Sequence, residues 1–214
     1  MIISFTIIAL FCQSRKFFKI WDVEFEPGNP EVVATCGGRY LCVINIESGD
    51  LLLKYCHKMK SQDFFTLSWS EMNFGNILAT GSNLGEIRLF HLAKEVSFYH
   101  WIYRKGVAIN AAKFHHQKPN LLFTASSDSV VILWNIGYPV PPSYNGANHE
   151  QLLYLQSSGD FYSMAWVPDS QWILVGSKDG LFGWNIKVEA AQGRRSESEL
   201  ITNALPTKSA VKFR

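Results

Sequence analysis

The chain has 214 residues, 47% hydrophobic, 14% aromatic and 18% charged, a composition that excludes a disordered chain and can build a packed core. Lys and Arg number 20 against 18 Asp and Glu, a net charge of +2, so no strong field draws the chain to naked DNA or to an anionic membrane. Cys12, Cys36, Cys42 and Cys56 form no CxxC pair and have no His at zinc spacing, which argues against a disulfide framework or a metal site and for a reduced compartment.

The chain opens on MIISFTIIALFC, an apolar run shorter than the ~20 residues that span a bilayer and without the preceding Lys or Arg of a secretory leader. Residues 1–19 therefore read as an apolar segment able to supply one strand, with no membrane contact expected. From Ile20 a unit recurs in four copies, over about 20–50, 62–94, 105–137 and 158–187. Each copy carries an aromatic anchor, Phe25, Trp69, Phe114 and Trp166, at intervals of 44, 45 and 52 residues. A segment of small residues follows, VVATCGG, ILATGSN, LLFTASSD and ILVGSKD, and then an apolar ending, LCVINI, IRLFHL, VILWNI and LFGWNI. Within those endings Ile44, Phe90, Trp134 and Trp184 stand 46, 44 and 50 residues apart. Two independent anchors thus keep one period. Residues 188–214 lose the aromatic alternation and gain Ser, Arg and Glu, the composition of a flexible tail.

Alternating apolar positions broken by Gly, Ser, Asn and Asp predict several short antiparallel strands per copy, not helices. A period near 45 residues with a Trp and a polar residue at its end resembles the WD repeat, in which each copy makes one blade of a β-propeller. The fold expected is all-β, with about four blades. Propellers close with about four to eight blades and rings of this family typically have about seven, so the expectation is an incomplete portion of such a ring. The signature residues are Trp134-Asn135 and Trp184-Asn185, with Asn in place of the family's Asp, and Asp128 and Asp179 in the turns between middle strands. Arg39 and Leu84 hold that turn position in the first two copies, and Lys105 stands near the place of the family's loop His. The polar network common to such blades is therefore expected to be largely absent, leaving packing to carry them.

A narrower resemblance rests on WDVEFEPGNPEVVATCGGRYLCVINIESGDLLLKY, DFFTLSW and AINAAKFHHQKPNLLFTASSDSVVILWNIG. These stretches are similar to the WD half of the leucine-rich-repeat and WD-repeat family that associates with the origin recognition complex. They are similar, more distantly, to the Polycomb embryonic ectoderm development family. The resemblance implies a nuclear, chromosomal role at heterochromatin and centromeric regions, with origin recognition complex subunits and methylated histone tails as partners and only indirect or weak contact with DNA. It also implies recognition of repressive trimethyl-lysine marks by an aromatic cage. A quaternary ammonium donates no hydrogen bond and is held by aromatic faces through cation–π attraction.

Four residues before the aromatic anchors Phe25, Trp69, Phe114 and Trp166 stand Trp21, Phe65, Asn110 and Tyr162, equal positions that fall on one ring about a propeller axis. Trp21, Phe65, Tyr162 and its neighbour Phe161 are the cage candidates; Asn110 interrupts the set. Against this stands ordinary blade packing, since aromatic residues dominate cores generally. His115-His116 could suggest a metal pair, but adjacent residues of a strand point to opposite faces and cannot easily share one ion, and a loop polar pair is the better reading. Asp128 and Asp179 suit turns better than acid/base catalysis, and no GxSxG, phosphate loop or dinucleotide fingerprint occurs, so neither an enzyme nor a cofactor is expected. The alternatives to the chromatin adaptor are a Polycomb-type reader subunit and a pure scaffold without methyl-lysine recognition.

Overall fold

The computed structural model describes residues 19–71, 76–92, 99–137, 149–167 and 172–186. The apolar run over 1–18 and the tail over 188–214 lie outside the described residues. Fifteen strands and no helix occur among those described. Strands β1 (Asp22–Glu26), β2 (Asn29–Gly37), β3 (Tyr40–Asn45) and β4 (Leu51–Cys56) form the first antiparallel sheet in that order. The second runs β5 (Phe64–Ser70), β6 (Ile77–Ser82), β7 (Glu86–His91) and β8 (Tyr99–Ile102). The third runs β9 (Ile109–Phe114), β10 (Leu121–Ser126), β11 (Val130–Asn135) and β12 (Glu150–Gln156). The last is β13 (Phe161–Trp166), β14 (Trp172–Ser177) and β15 (Gly180–Asn185). These four meanders are the blades of a WD-repeat propeller, and the segments between successive copies supply β4, β8 and β12.

The core lies between sheets. Val32, Ala34, Leu41 and Val43 of the first sheet meet Leu67, Trp69, Leu78 and Phe90 of the second. Ile77, Ala79 and Ile87 of the second meet Ala112, Phe114 and Trp134 of the third. Phe123, Val131 and Leu133 of the third meet Phe161, Ile173 and Trp184 of the fourth. A sheet packed on both faces needs apolar side chains at nearly every position of its middle strands, which is why β6, β10 and β11 are buried throughout. On the outer face of the first sheet, Val23 and Phe25 remain 48% and 54% exposed.

The expected loss of the blade's polar network is corrected in the third sheet. There the Asp128 carboxylate accepts hydrogen bonds from the Tyr103 hydroxyl at 3.1 Å, Arg104 Nη1 at 3.2 Å and Ser126 Oγ at 2.5 Å. Trp134 Nε1 donates to Thr124 Oγ1 at 2.9 Å. A Tyr and an Arg reaching in from the preceding loop thus do the work expected of His. In the second sheet Asn83 links the same two loops, accepting from Asp63 N at 2.9 Å and donating to Ser61 O at 2.9 Å. Gly85 completes that turn at φ +80°, where a Cβ would lie 2.2 Å from the Arg104 carbonyl oxygen. Asn135 substitutes for the family Asp because its Oδ1 still accepts backbone hydrogen bonds, from Gly137 N at 2.9 Å, as well as one from Asn120 Nδ2 at 3.0 Å. In the fourth sheet Trp184 is buried against Phe161 and Phe182, whereas Asn185 Oδ1 is buried without a hydrogen bond to a described residue. Asp179 N donates to Ser177 Oγ at 3.0 Å, and its carboxylate sits against Gly159, where a Cβ would meet it at 2.1 Å.

His57 closes the junction of the first two sheets, 1% exposed and stacked on Phe64 at 4.0 Å. Its Nε2 has no hydrogen-bond partner among the described residues. Burial, with the charges of Arg88 and Arg39 nearby, pushes its pKa down to about 3. The unfolded chain takes up this proton below about pH 6.5 while the folded chain stays neutral, so stability is lost as pH falls from there toward the folded value. Between about pH 7 and about pH 5 the loss from this residue is on the order of 2 kcal/mol. Replacing His57 with Phe keeps the stack and removes the proton site; denaturant melts at the two pH values should show a correspondingly flatter acid limb.

Candidate functional site

The first strand of each sheet lines up with the next: β1 packs against β5, β5 against β9, and β9 against β13. At the entry of three of these strands the pairing skips one residue. Phe64 and Thr66 pair with Ser82 and Gly81, leaving out Phe65. Ile109 and Ala111 pair with Ser126 and Ala125, leaving out Asn110. Phe161 and Ser163 pair with Ser177 and Gly176, leaving out Tyr162. A bulge of this kind re-aims a side chain. The residue before each skip, Phe64, Ile109 and Phe161, turns into the core with 1%, 0% and 0% of its surface exposed. The skipped residue turns toward a cavity of about 540 Å³, which Trp21, Phe65, Asn110 and Tyr162 all line.

Trp21 stands just ahead of β1, held by its backbone N–H to Cys36 O at 2.8 Å. Its ring meets Phe65 edge to face, centroids 5.6 Å apart and planes at 67°. The Lys19 ammonium lies over the same indole at 5.7 Å, so this face already accepts a cation. Tyr162 is 55% exposed and Trp21 52%, leaving both free to meet a ligand. Phe161, taken from the sequence as a fourth cage candidate, does not line the cavity. Its ring packs on Phe182 at 5.8 Å and on Trp184 at 6.1 Å, because neighbouring strand residues face opposite ways.

Beneath the aromatic rim, alternate acids of β1 tie the blades together. Asp22 Oδ2 accepts from Leu67 N at 2.9 Å and Thr66 Oγ1 at 3.1 Å. Glu24 Oε2 accepts from Trp69 N at 3.0 Å, and its Oε1 meets Lys113 Nζ at 2.9 Å. Burial pushes the Glu24 carboxyl above its usual range, and the Lys113 charge and hydrogen bond hold it back. Asp22 and Lys113 both line the cavity. They give the lining one charge of each sign, and Glu24 pairs with Lys113 beneath it. Neither Glu24 nor Lys113 stands out singly in the sequence. The acids at 22, 24 and 26, two residues apart on a strand, were the available sign that one face of β1 binds its neighbour.

His115 and His116 fall in a loop, as the sequence reading preferred. Both follow the end of β9, and in that loop their rings stack at 4.9 Å with an interplanar angle of 7° beside Trp166. Trp166 Nε1 donates to His116 Nδ1. Burial, helped by His116 and Lys118, pushes the His115 pKa down to about 4. No group of three or more His, Cys, Asp or Glu among the described residues could hold a metal ion.

The family described as leucine-rich repeat and WD repeat-containing protein 1, WD domain, matches residues 18–205. The chain belongs to this family. Leucine-rich repeat and WD repeat-containing protein 1 of Xenopus tropicalis is 35% identical over 200 residues, covering 86% of this chain and 28% of the relative. Its Danio rerio counterpart is 32% identical over 216 residues, covering 88% of this chain and 28% of the relative. Polycomb group protein FIE2 of Zea mays is 35% identical over 113 residues, 50% of this chain and 29% of that protein. This member of the leucine-rich repeat and WD repeat family therefore spans under a third of the length of the curated relatives it matches, and its blades are a WD-repeat protein-interaction domain.

Proposed function

We propose that this WD domain is a chromatin-associated adaptor in the nucleus, one that helps recruit or stabilise the origin recognition complex and takes a methylated lysine of a histone tail at its aromatic rim. The observation that carries the reading is the common cavity of Trp21, Phe65 and Tyr162, three aromatic residues at equal positions of different blades. The Asp22 carboxylate in the lining attracts a cation, and a guest ammonium would take the place over Trp21 that Lys19 holds. A methylated ammonium suits this rim because it sheds water more readily than a bare ammonium and spreads its charge over methyl groups that pack on ring faces. Repressive trimethyl marks are the ligands that the family resemblance suggests, with origin recognition complex subunits on the outer blade surfaces.

Titration of fluorescent histone H3 tail peptides, trimethylated and unmodified, tests the reader part. The methylated peptide should bind at least tenfold more tightly, and Trp21→Ala or Phe65→Ala should remove that difference. Equal binding of both peptides would leave a scaffold without methyl-lysine recognition, a reading favoured by the direct Trp21–Phe65 packing.

A further inference from the structure

The cavity wall contains one polar side chain among the four ring positions, and its orientation is set. Asn110 Nδ2 donates to the Phe161 carbonyl oxygen at 2.6 Å, across the junction between β9 and β13. A carbonyl can only accept, so the amide nitrogen must face Phe161 and the amide oxygen must face away from it. Asn110 Oδ1 makes no hydrogen bond to a described residue, while the side chain lines the cavity. The bulge at Asn110 gives it the same aim as Phe65 and Tyr162 in their blades. An aromatic rim with one fixed carbonyl acceptor is a different binding site from a fully aromatic cage.

We propose that Asn110 makes this cavity accept dimethyl-lysine at least as well as trimethyl-lysine, its Oδ1 receiving the one N–H that a dimethylammonium keeps. The inference rests on the methyl-lysine reading above. A trimethylammonium has no N–H and leaves the Asn110 oxygen desolvated without a partner, which costs binding. A dimethylammonium satisfies that oxygen with a charge-assisted hydrogen bond while its two methyl groups still meet the rings. Unmethylated lysine keeps three N–H groups, of which the rim can satisfy too few. The Asp22 carboxylate is already engaged, its Oδ2 by Leu67 N and Thr66 Oγ1 and its Oδ1 by Val23 N, so Asn110 Oδ1 is the acceptor that distinguishes the methylation states.

Calorimetric titration of the protein with H3 tail peptides carrying zero, one, two or three methyl groups on one lysine tests this. Dimethyl should bind as tightly as trimethyl or up to about tenfold more tightly, the range of one charge-assisted hydrogen bond less its desolvation. Asn110→Leu, which removes the acceptor, should shift the ratio about five- to tenfold toward trimethyl. Asn110→Asp keeps an acceptor and should hold or increase the dimethyl preference, so a destabilised Leu variant does not leave the question open. Trimethyl bound tenfold more tightly than dimethyl, with both lost in Trp21→Ala, would overturn the role of Asn110 and leave the reader intact. No dependence on methylation at all would overturn both.

Discussion

Phe161→Ala should cost about 3–5 kcal/mol of folding stability, the range for emptying a buried aromatic site, whereas Tyr162→Ala should change stability by less than about 0.5 kcal/mol. The two residues are adjacent, and both looked like cage aromatics. Phe161 is fully buried between Phe182, Trp184 and the third sheet, with Met164, Ile173 and Val175 in the same cluster. Removing its ring leaves a cavity that a sheet fixed by backbone pairing on β14 cannot collapse. Tyr162 is 55% exposed and outside the ladder, so truncation removes little packing. Binding should show the reverse order: methylated-peptide affinity should drop severalfold in Tyr162→Ala and be kept by whatever fraction of Phe161→Ala remains folded. Urea melts and peptide titrations on the same two variants check both halves. Equal stability losses would mean that the bulge at Tyr162 does not separate core from rim.

That pair shows what the sequence could and could not reveal. The four-copy period and the strand content were legible because a sheet buried on both faces leaves near-continuous apolar runs such as LLFTAS and VVILWN. The ring positions were legible as well, since equal spacing from Trp69, Phe114 and Trp166 singled out Phe65, Asn110 and Tyr162. A one-residue bulge was not, because it changes the direction of a side chain without changing spacing or composition. Phe64-Phe65 and Phe161-Tyr162 are therefore aromatic doublets in which sequence alone cannot tell which member faces the core. The Asp128 network escaped for another reason. A search for His in the loop overlooks Tyr103 and Arg104, although any donor on an arm of the right length satisfies the same carboxylate. The loop position of His115 and His116 was legible, whereas the stacking of both rings on one side was not, since it depends on the chain leaving β9 at Phe114.

Glu24→Ala should destabilise the protein by about 2–3 kcal/mol, because this carboxylate joins three blades. It accepts the backbone N–H of Trp69 in the second sheet at 3.0 Å and meets Lys113 of the third at 2.9 Å. Truncation leaves the Trp69 N–H and the Lys113 ammonium without that partner, each facing a partly buried junction. The figure is held below the range for a fully buried pair because the two side chains are 29% and 32% exposed. Lys113→Met alone should cost less, since Glu24 keeps the Trp69 bond, and pairing it with Glu24→Ala should recover part of the loss by removing the stranded ammonium. Thermodynamic double-mutant cycles on these two positions read the coupling directly. Binding supplies a separate readout of the same pair. In Glu24→Ala the unneutralised Lys113 faces the cavity, so a methylated-lysine peptide should bind several times more weakly, with the loss shrinking as salt screens the charge. In the double variant, which lacks both charges, affinity should return toward the wild-type value. A full loss of affinity that persists in the double variant would instead place the damage in the blade junction that sets Trp21 and Phe65 side by side.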